Sequence, residues 1–281
     1  MNTITKIFII LAVLILLSYF LRNSKVISSG NLEKDGFCVI KNILTNDDIC
    51  NIENYLNSDK VTDTKKYITL NERINNLIKN KLDSKTEGYN FQDYIMYIKQ
   101  SKVHTCHRDN NGSFFSPNQK HESYTIIFYL TDMERNLDVI PGSHINRFQN
   151  SFYLTDPSVS IKCNKGDAIL FNSNLVHAGS ILKSEYNPRI QMKYSHNEDL
   201  ECLKHYQNFN KILNRTNTVN NGFQLIQKHF TCQIPLLSDL TQSEIKRTSR
   251  GSKESEIGFF QKMYSKLFYG NKDFYDLPDA K

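Results

Sequence analysis

Apolar residues fall into three textures along this chain. The first is Ile7 to Leu17, unbroken apolar sequence that Ser18-Tyr19-Phe20-Leu21 extends before Arg22 and Lys25. It is near the length of a bilayer span, and no convincing small-residue cleavage site follows it, so it reads as an uncleaved transmembrane helix, with a cleaved signal peptide as the rival reading. The second texture is short and strand-like. Gly36-Phe37-Cys38-Val39-Ile40 opens it, and a helix follows in which Thr45 is the N-cap, Asp47 and Asp48 sit in the first turn, and Ile49, Ile52 and Leu56 make a stripe. Leu70 to Leu82 repeats the helical spacing through Ile74, Leu77 and Ile78.

From Tyr89 onward strands dominate: Tyr94–Ile98, Tyr124–Leu130, Ser158–Lys162, Asp167–Phe171 and Arg189–Tyr194. Turn signals at Asn111-Gly112, Pro141-Gly142, Lys165-Gly166 and Asn187-Pro188 separate them. Many short strands punctuated in this way predict a mainly β protein with flanking helices, a sandwich or jelly-roll barrel. The third texture, beyond residue 200, is polar with helically spaced anchors at Leu203, Tyr206, Phe209, Ile212 and Leu213. Gln242–Ser255 reads as a linker, and Ile257–Tyr269 as a terminal amphipathic helix. Three regions result: an anchor and flank over 1–28, a principal domain over 29–200, and a helical extension with linker over 201–281.

Composition changes this picture little. The 281 residues carry a net charge of +6 spread along the chain, which points to a solvated surface and away from a nucleic-acid partner. Six cysteines without a Cys-x-x-Cys pair argue against structural zinc, and Cys106 reads as a small packed thiol. Lys6 precedes the apolar span and Arg22 with Lys25 follows it, so positive-inside counting leaves orientation open. A short N-terminal tail with a large C-terminal domain has the shape of a signal anchor and favours a lumenal domain. The sequons Asn111-Gly112-Ser113 and Asn214-Arg215-Thr216 are compatible with it.

The chemistry lies in His107-Arg108-Asp109, His177 and Arg189. Residues i and i+2 of a strand face the same way, so His107 and Asp109 reach toward one point. His177 follows the Asp167–Phe171 strand, which brings a second imidazole beside them. Two histidines and one carboxylate on one face of a metal leave the remaining positions open, the arrangement of non-haem Fe(II) oxygenases. Arg189, twelve residues past His177, offers a planar fork for the far carboxylate of a dicarboxylic cosubstrate. His104, His121 and His144 compete for ligand roles, but their settings suit structural or supporting ones.

Leu32–Ile49, Val139-Ile140-Pro141-Gly142-Ser143-His144 and Lys165–His177 resemble the phytanoyl-CoA dioxygenase-type family, with the metal segment between them in family order. The resemblance covers about Asn31 to His196. It implies a double-stranded β-helix (jelly-roll, cupin-like) fold and an Fe(II)/2-oxoglutarate-dependent dioxygenase, a hydroxylase using O2. Carried over, it makes His107, Asp109 and His177 the iron ligands and Arg189 the cosubstrate anchor. Among the chain's own strand residues, Thr125, Tyr129 or Tyr97 is the candidate to add a hydroxyl to the cosubstrate. Tyr124–Asp132 and His177-Ala178-Gly179 also resemble the prolyl-4-hydroxylase branch, which typically has lysine where this chain has Arg189. The substrate is left open: a lipid, acyl group or small molecule suits the membrane helix, and a protein side chain suits the second branch. A membrane-tethered binding module without turnover, or a cupin-type enzyme independent of 2-oxoglutarate, are the rival functions. An intact triad with its arginine argues against both.

Overall fold

The computed structural model describes residues 3–20, 25–56, 76, 80, 87–100, 103–109, 111–182, 186–204, 209–214, 217–237, 239–240 and 258–274. Its first element, α1 (Thr3–Phe20), is apolar on every side, with Ile7, Ile10, Leu11 and Leu14 about half exposed. Eighteen residues at about 1.5 Å each reach roughly 27 Å, short of a hydrocarbon core of about 30 Å. Thr3, Thr5 and Lys6 shorten the apolar part further. No helix among the described residues is long and apolar enough to cross a membrane, so the spanning helix expected at the N-terminus finds no support.

After β1 (Val26–Ile27), β2 (Phe37–Ile40) leads into α2 (Asn46–Leu56). Thr45 caps that helix reciprocally: its hydroxyl accepts from the Asp48 amide at 3.2 Å, and the Asp48 carboxylate accepts from the Thr45 amide at 2.7 Å. The helix expected over Leu70–Leu82 lies almost wholly outside the described residues. The strands that follow are β3 (Tyr89–Gln100), β4 (Tyr124–Tyr129), β5 (Leu137–Val139), β6 (Val159–Ile161), β7 (Ala168–Asn172), β8 (His177–Gly179), β9 (Tyr186–His196) and β10 (Phe209–Asn214). Further along, the described residues include the helices α3 (Asn221–Gln233) and α4 (Phe259–Tyr269).

These strands make two sheets, β10-β3-β9-β4-β7-β2 and β1-β6-β5-β8. Phe37, Ile127, Tyr129, Ile169 and Phe171 of the larger meet Leu137, Val139 and Ile161 of the smaller in one core, so the sheets enclose an interior. The alternate residues Ile126, Phe128, Leu170, Ile190 and Met192 face outward under Ile49 and Ile52 of α2. Period-two alternation therefore sorts each strand between a core beneath a helix and a chamber between sheets. At the Lys165-Gly166 turn the chain needs glycine twice over. Its φ is +86°, and a Cβ would stand 2.6 Å from the Leu44 carbonyl oxygen.

Beyond residue 200 the expectation of helix fails at its first segment. Phe209–Asn214 is a strand, paired in parallel with β3 at the edge of the larger sheet. Its alternation is too brief to separate from helical spacing in sequence.

Candidate metal centre

Residues 107–109 run antiparallel beside 173–177. The His107 amide donates to the His177 carbonyl at 2.9 Å, the His177 amide returns the bond at 2.8 Å, and the Asp109 amide reaches the Ser173 carbonyl at 2.9 Å. That ladder brings the two imidazoles together, with ring centroids 4.4 Å apart. His107, Asp109 and His177 each offer one donor atom, all within 4.8 Å of one another. Gly112 lets the loop after Asp109 close on Asn174, whose Oδ1 would lie 2.0 Å from any Cβ placed there.

The rings are aimed as well as placed. His107 Nδ1 lies 2.8 Å from the Thr105 carbonyl and His177 Nδ1 lies 2.9 Å from the Leu175 carbonyl. A carbonyl only accepts, so each Nδ1 carries the proton and each Nε2 keeps its lone pair for a metal. Burial pulls the His177 pKa below its ordinary value, against the opposing pull of Asp109, which leaves the ring neutral near pH 7.

Asp109 divides its two oxygens. Oδ2 accepts from Lys193 Nζ at 2.5 Å and from the Thr125 hydroxyl, while Oδ1 lies 3.8 Å from His177 Nε2. Burial pushes the carboxyl up, but the Lys193 ammonium, with His177 and His107, reverses this and holds it well below the usual carboxylate range. An anionic carboxylate and two imidazoles gathered within 4.8 Å fit a divalent transition metal. Lys193 was not assigned to the metal position from the sequence. Its place at an inward position of β9, opposite Thr125, was the available signal.

Arg189 opens the same face of β9, directly opposite Tyr129. Its Nη1 donates to the Asn187 carbonyl at 2.9 Å. Burial lowers its pKa to about 10, so it stays charged at neutral pH. The buried Tyr129 hydroxyl has no hydrogen-bond partner among the described residues. Arg189 and Lys193 stand four positions apart on β9, roughly 13 Å along the strand.

Two expected hydroxyls are placed otherwise. Tyr97 pairs with Ile190 and lies in the outward core beneath α2, so it does not face the site. The Thr125 hydroxyl donates its one proton to Asp109, which makes it a support for the carboxylate and not a donor to cosubstrate. The competing histidines are structural in the geometry: His104 bonds Gln227 at 2.9 Å and Asn217 at 3.0 Å, and His144 Nε2 bonds the Glu33 carbonyl at 3.1 Å. His121 lies with His196 and Glu198 in a second, more exposed group.

The C-terminal segment braces this loop. Cys106, expected as a packed thiol, forms a disulfide with Cys232 of α3. Arg108, wholly buried between two of the candidate ligands, donates to Asp239 at 2.6 Å and to the Asn174 carbonyl at 2.9 Å. Burial lowers the Arg108 pKa and raises that of Asp239, so the pair fixes position more than it stabilises. Asn111, proposed as a sequon, is completely buried and could not carry a glycan in this fold.

No curated protein matches this chain. Several solved structures are similar. EvdO2 from Micromonospora carbonacea var. aurantiaca, complexed with 2-oxoglutarate, is 12% identical with a TM-score of 0.42, over 58% of this chain and 86% of that one. SnoN, a non-heme alpha ketoglutarate dependent epimerase from nogalamycin biosynthesis, is 16% identical with a TM-score of 0.44, over 59% and 80%. HygX from Streptomyces hygroscopicus, with nickel and 2-oxoglutarate bound, is 14% identical with a TM-score of 0.40, over 59% and 84%. The family model for phytanoyl-CoA dioxygenase (PhyH) matches residues 51–189, the span that holds the three clustered ligands and ends on Arg189. Just under half of this chain therefore matches the phytanoyl-CoA dioxygenase (PhyH) family.

Proposed function

We propose that this chain is an Fe(II)- and 2-oxoglutarate-dependent dioxygenase that hydroxylates a small molecule or lipid. The carrying observation is the triad His107, Asp109 and His177, whose donor atoms lie within 4.8 Å of one another, with both Nδ1 atoms engaged by backbone carbonyls. Iron held there would supply, with O2 and 2-oxoglutarate, the oxidising power to attack an unactivated C–H bond.

The remaining work belongs to this chain's own groups. Thr125 and Lys193 hold Oδ2 of Asp109 and so present Oδ1 toward the metal position. Arg189, charged at neutral pH, grips the far carboxylate of the cosubstrate, and the Tyr129 hydroxyl beside it is the second donor. Phe171, whose ring lies 4.6 Å from His177, packs with Ile127 and Ile169 to keep the chamber dry on that side.

Succinate release is the test. Protein supplied with Fe(II), 2-oxoglutarate and O2 releases succinate slowly alone and faster with its substrate, and a screen of lipids, small molecules and peptides reads the increase. No succinate above a metal-free control would overturn the reading. Membrane attachment through the apolar surface of α1, with the domain on the lumenal side, belongs to the same proposal. Protease protection in sealed vesicles tests it, and full digestion without detergent would place the domain on the other side.

A further inference from the structure

Helix α4 is amphipathic with the wrong side out. Its buried face includes two wholly buried polar residues, Gln261 and Ser265, beside Phe268 and Tyr269. Its outer face carries Phe259 (73% exposed), Phe260 (67%), Met263 (55%) and Leu267 (63%). At 3.6 residues per turn these four fall on an arc of about 100°, a continuous apolar stripe. A surface helix of a water-soluble domain shows charge there instead, and large exposed apolar stripes mark interaction sites.

The rim says what kind of partner it fits. Phe259, Met263 and Leu267 line a shallow groove of about 550 Å³ together with Lys262, Lys266 and Lys272, and among the described residues no acidic side chain lines it. Aromatic and aliphatic side chains flanked by lysines match an anionic bilayer surface, with rings in the acyl boundary and ammonium groups at the headgroups. The surroundings agree. α4 is tied to α3 where Gln227 donates to the Leu267 carbonyl at 3.0 Å, and α3 in turn packs against the apolar α1.

We propose that the outer face of α4 docks in the plane of an anionic membrane, as a contact separate from α1 and independent of the oxygenase reading. The chain has no tryptophan, so Phe259→Trp places a single reporter on this face. Full-length protein is mixed with vesicles of phosphatidylcholine, or phosphatidylcholine with phosphatidylserine, whose acyl chains are brominated. Emission should shift to the blue and be quenched on the anionic vesicles. Adding Lys262→Gln, Lys266→Gln and Lys272→Gln should weaken this docking on the order of 100-fold and abolish most of the quenching.

Three results would overturn the proposal. One is protein that floats with the vesicles through α1 while the reporter stays unquenched. A second is a blue shift that grows with protein concentration without vesicles, which would mean a second copy covers the face. The last is a concentration-independent blue shift without vesicles, which would mean the chain's own segments cover it.

Discussion

Lys193 and a bound divalent metal offer Asp109 the same thing, positive charge beside a buried carboxylate. Replacing Lys193 by Met leaves that charge uncompensated, at a cost of about 3 kcal/mol in the metal-free protein. A metal binds only the folded state and returns part of the loss. The melting temperature of Lys193→Met should therefore fall more without Fe(II) than with it, measured anaerobically. Equal falls in both conditions would separate Lys193 from the metal position. In the proposed reading Arg189 serves the cosubstrate instead. Arg189→Ala should keep its metal but raise the 2-oxoglutarate concentration for half-maximal succinate release by about 30-fold or more, because a lost charge-assisted contact costs on the order of 2–5 kcal/mol. Arg189→Lys should recover only part, having lost the planar fork. An unchanged requirement in Arg189→Ala would contradict the assignment.

At the scale of elements, α3 is the brace of the metal loop, through Cys106–Cys232, Lys228–Asp138 and His229–Asp156. The last tie gives a pH signature. Burial raises the Asp156 carboxyl, but the His229 hydrogen bond and Lys228 win and bring it from 3.8 to about 2. A depressed folded pKa stabilises above the unfolded value and loses that stability as pH falls through the folded one. The contribution, about 2 kcal/mol, should vanish between about pH 4 and pH 2. Urea unfolding across that range should show a shallower acid limb in His229→Gln, and an unaltered limb would remove the tie from the account. Thiol labelling reads the same brace. At pH 8 iodoacetamide should reach exposed Cys50 first and spare Cys38 and Cys163, whose thiols burial pushes up to about 11 and about 12. Cys106 and Cys232 should label only after reduction, and labelling of Cys106 without reductant would contradict the disulfide.

For the whole molecule, the sequence was most legible where local rules act alone. Strand texture, glycine turns and the Thr45 cap depend on neighbours in the chain, and β4, β7 and β9 lie close to their expected spans. The mutual approach of His107, Asp109 and His177 was legible because alternation and order along the chain constrain it. Pairing over long separation was not. Nothing local joins Cys106 to Cys232 or Arg108 to Asp239, and Tyr97 was assigned without knowing which face of β3 turns inward. The spanning helix expected at the N-terminus is also unsupported, because no helix among the described residues is long and apolar enough to cross a membrane. The central claim is one metal position built by three side chains and one cosubstrate position built by Arg189. Anaerobic titration of the full-length protein with Fe(II) and then 2-oxoglutarate tests it most directly, through the visible charge-transfer band that a chelating 2-oxo acid gives on iron. The account predicts a band at one equivalent of iron, absent in His107→Ala and Asp109→Ala and requiring far more 2-oxoglutarate in Arg189→Ala. A band of wild-type strength in His107→Ala or Asp109→Ala, or none in the unaltered protein, would contradict it.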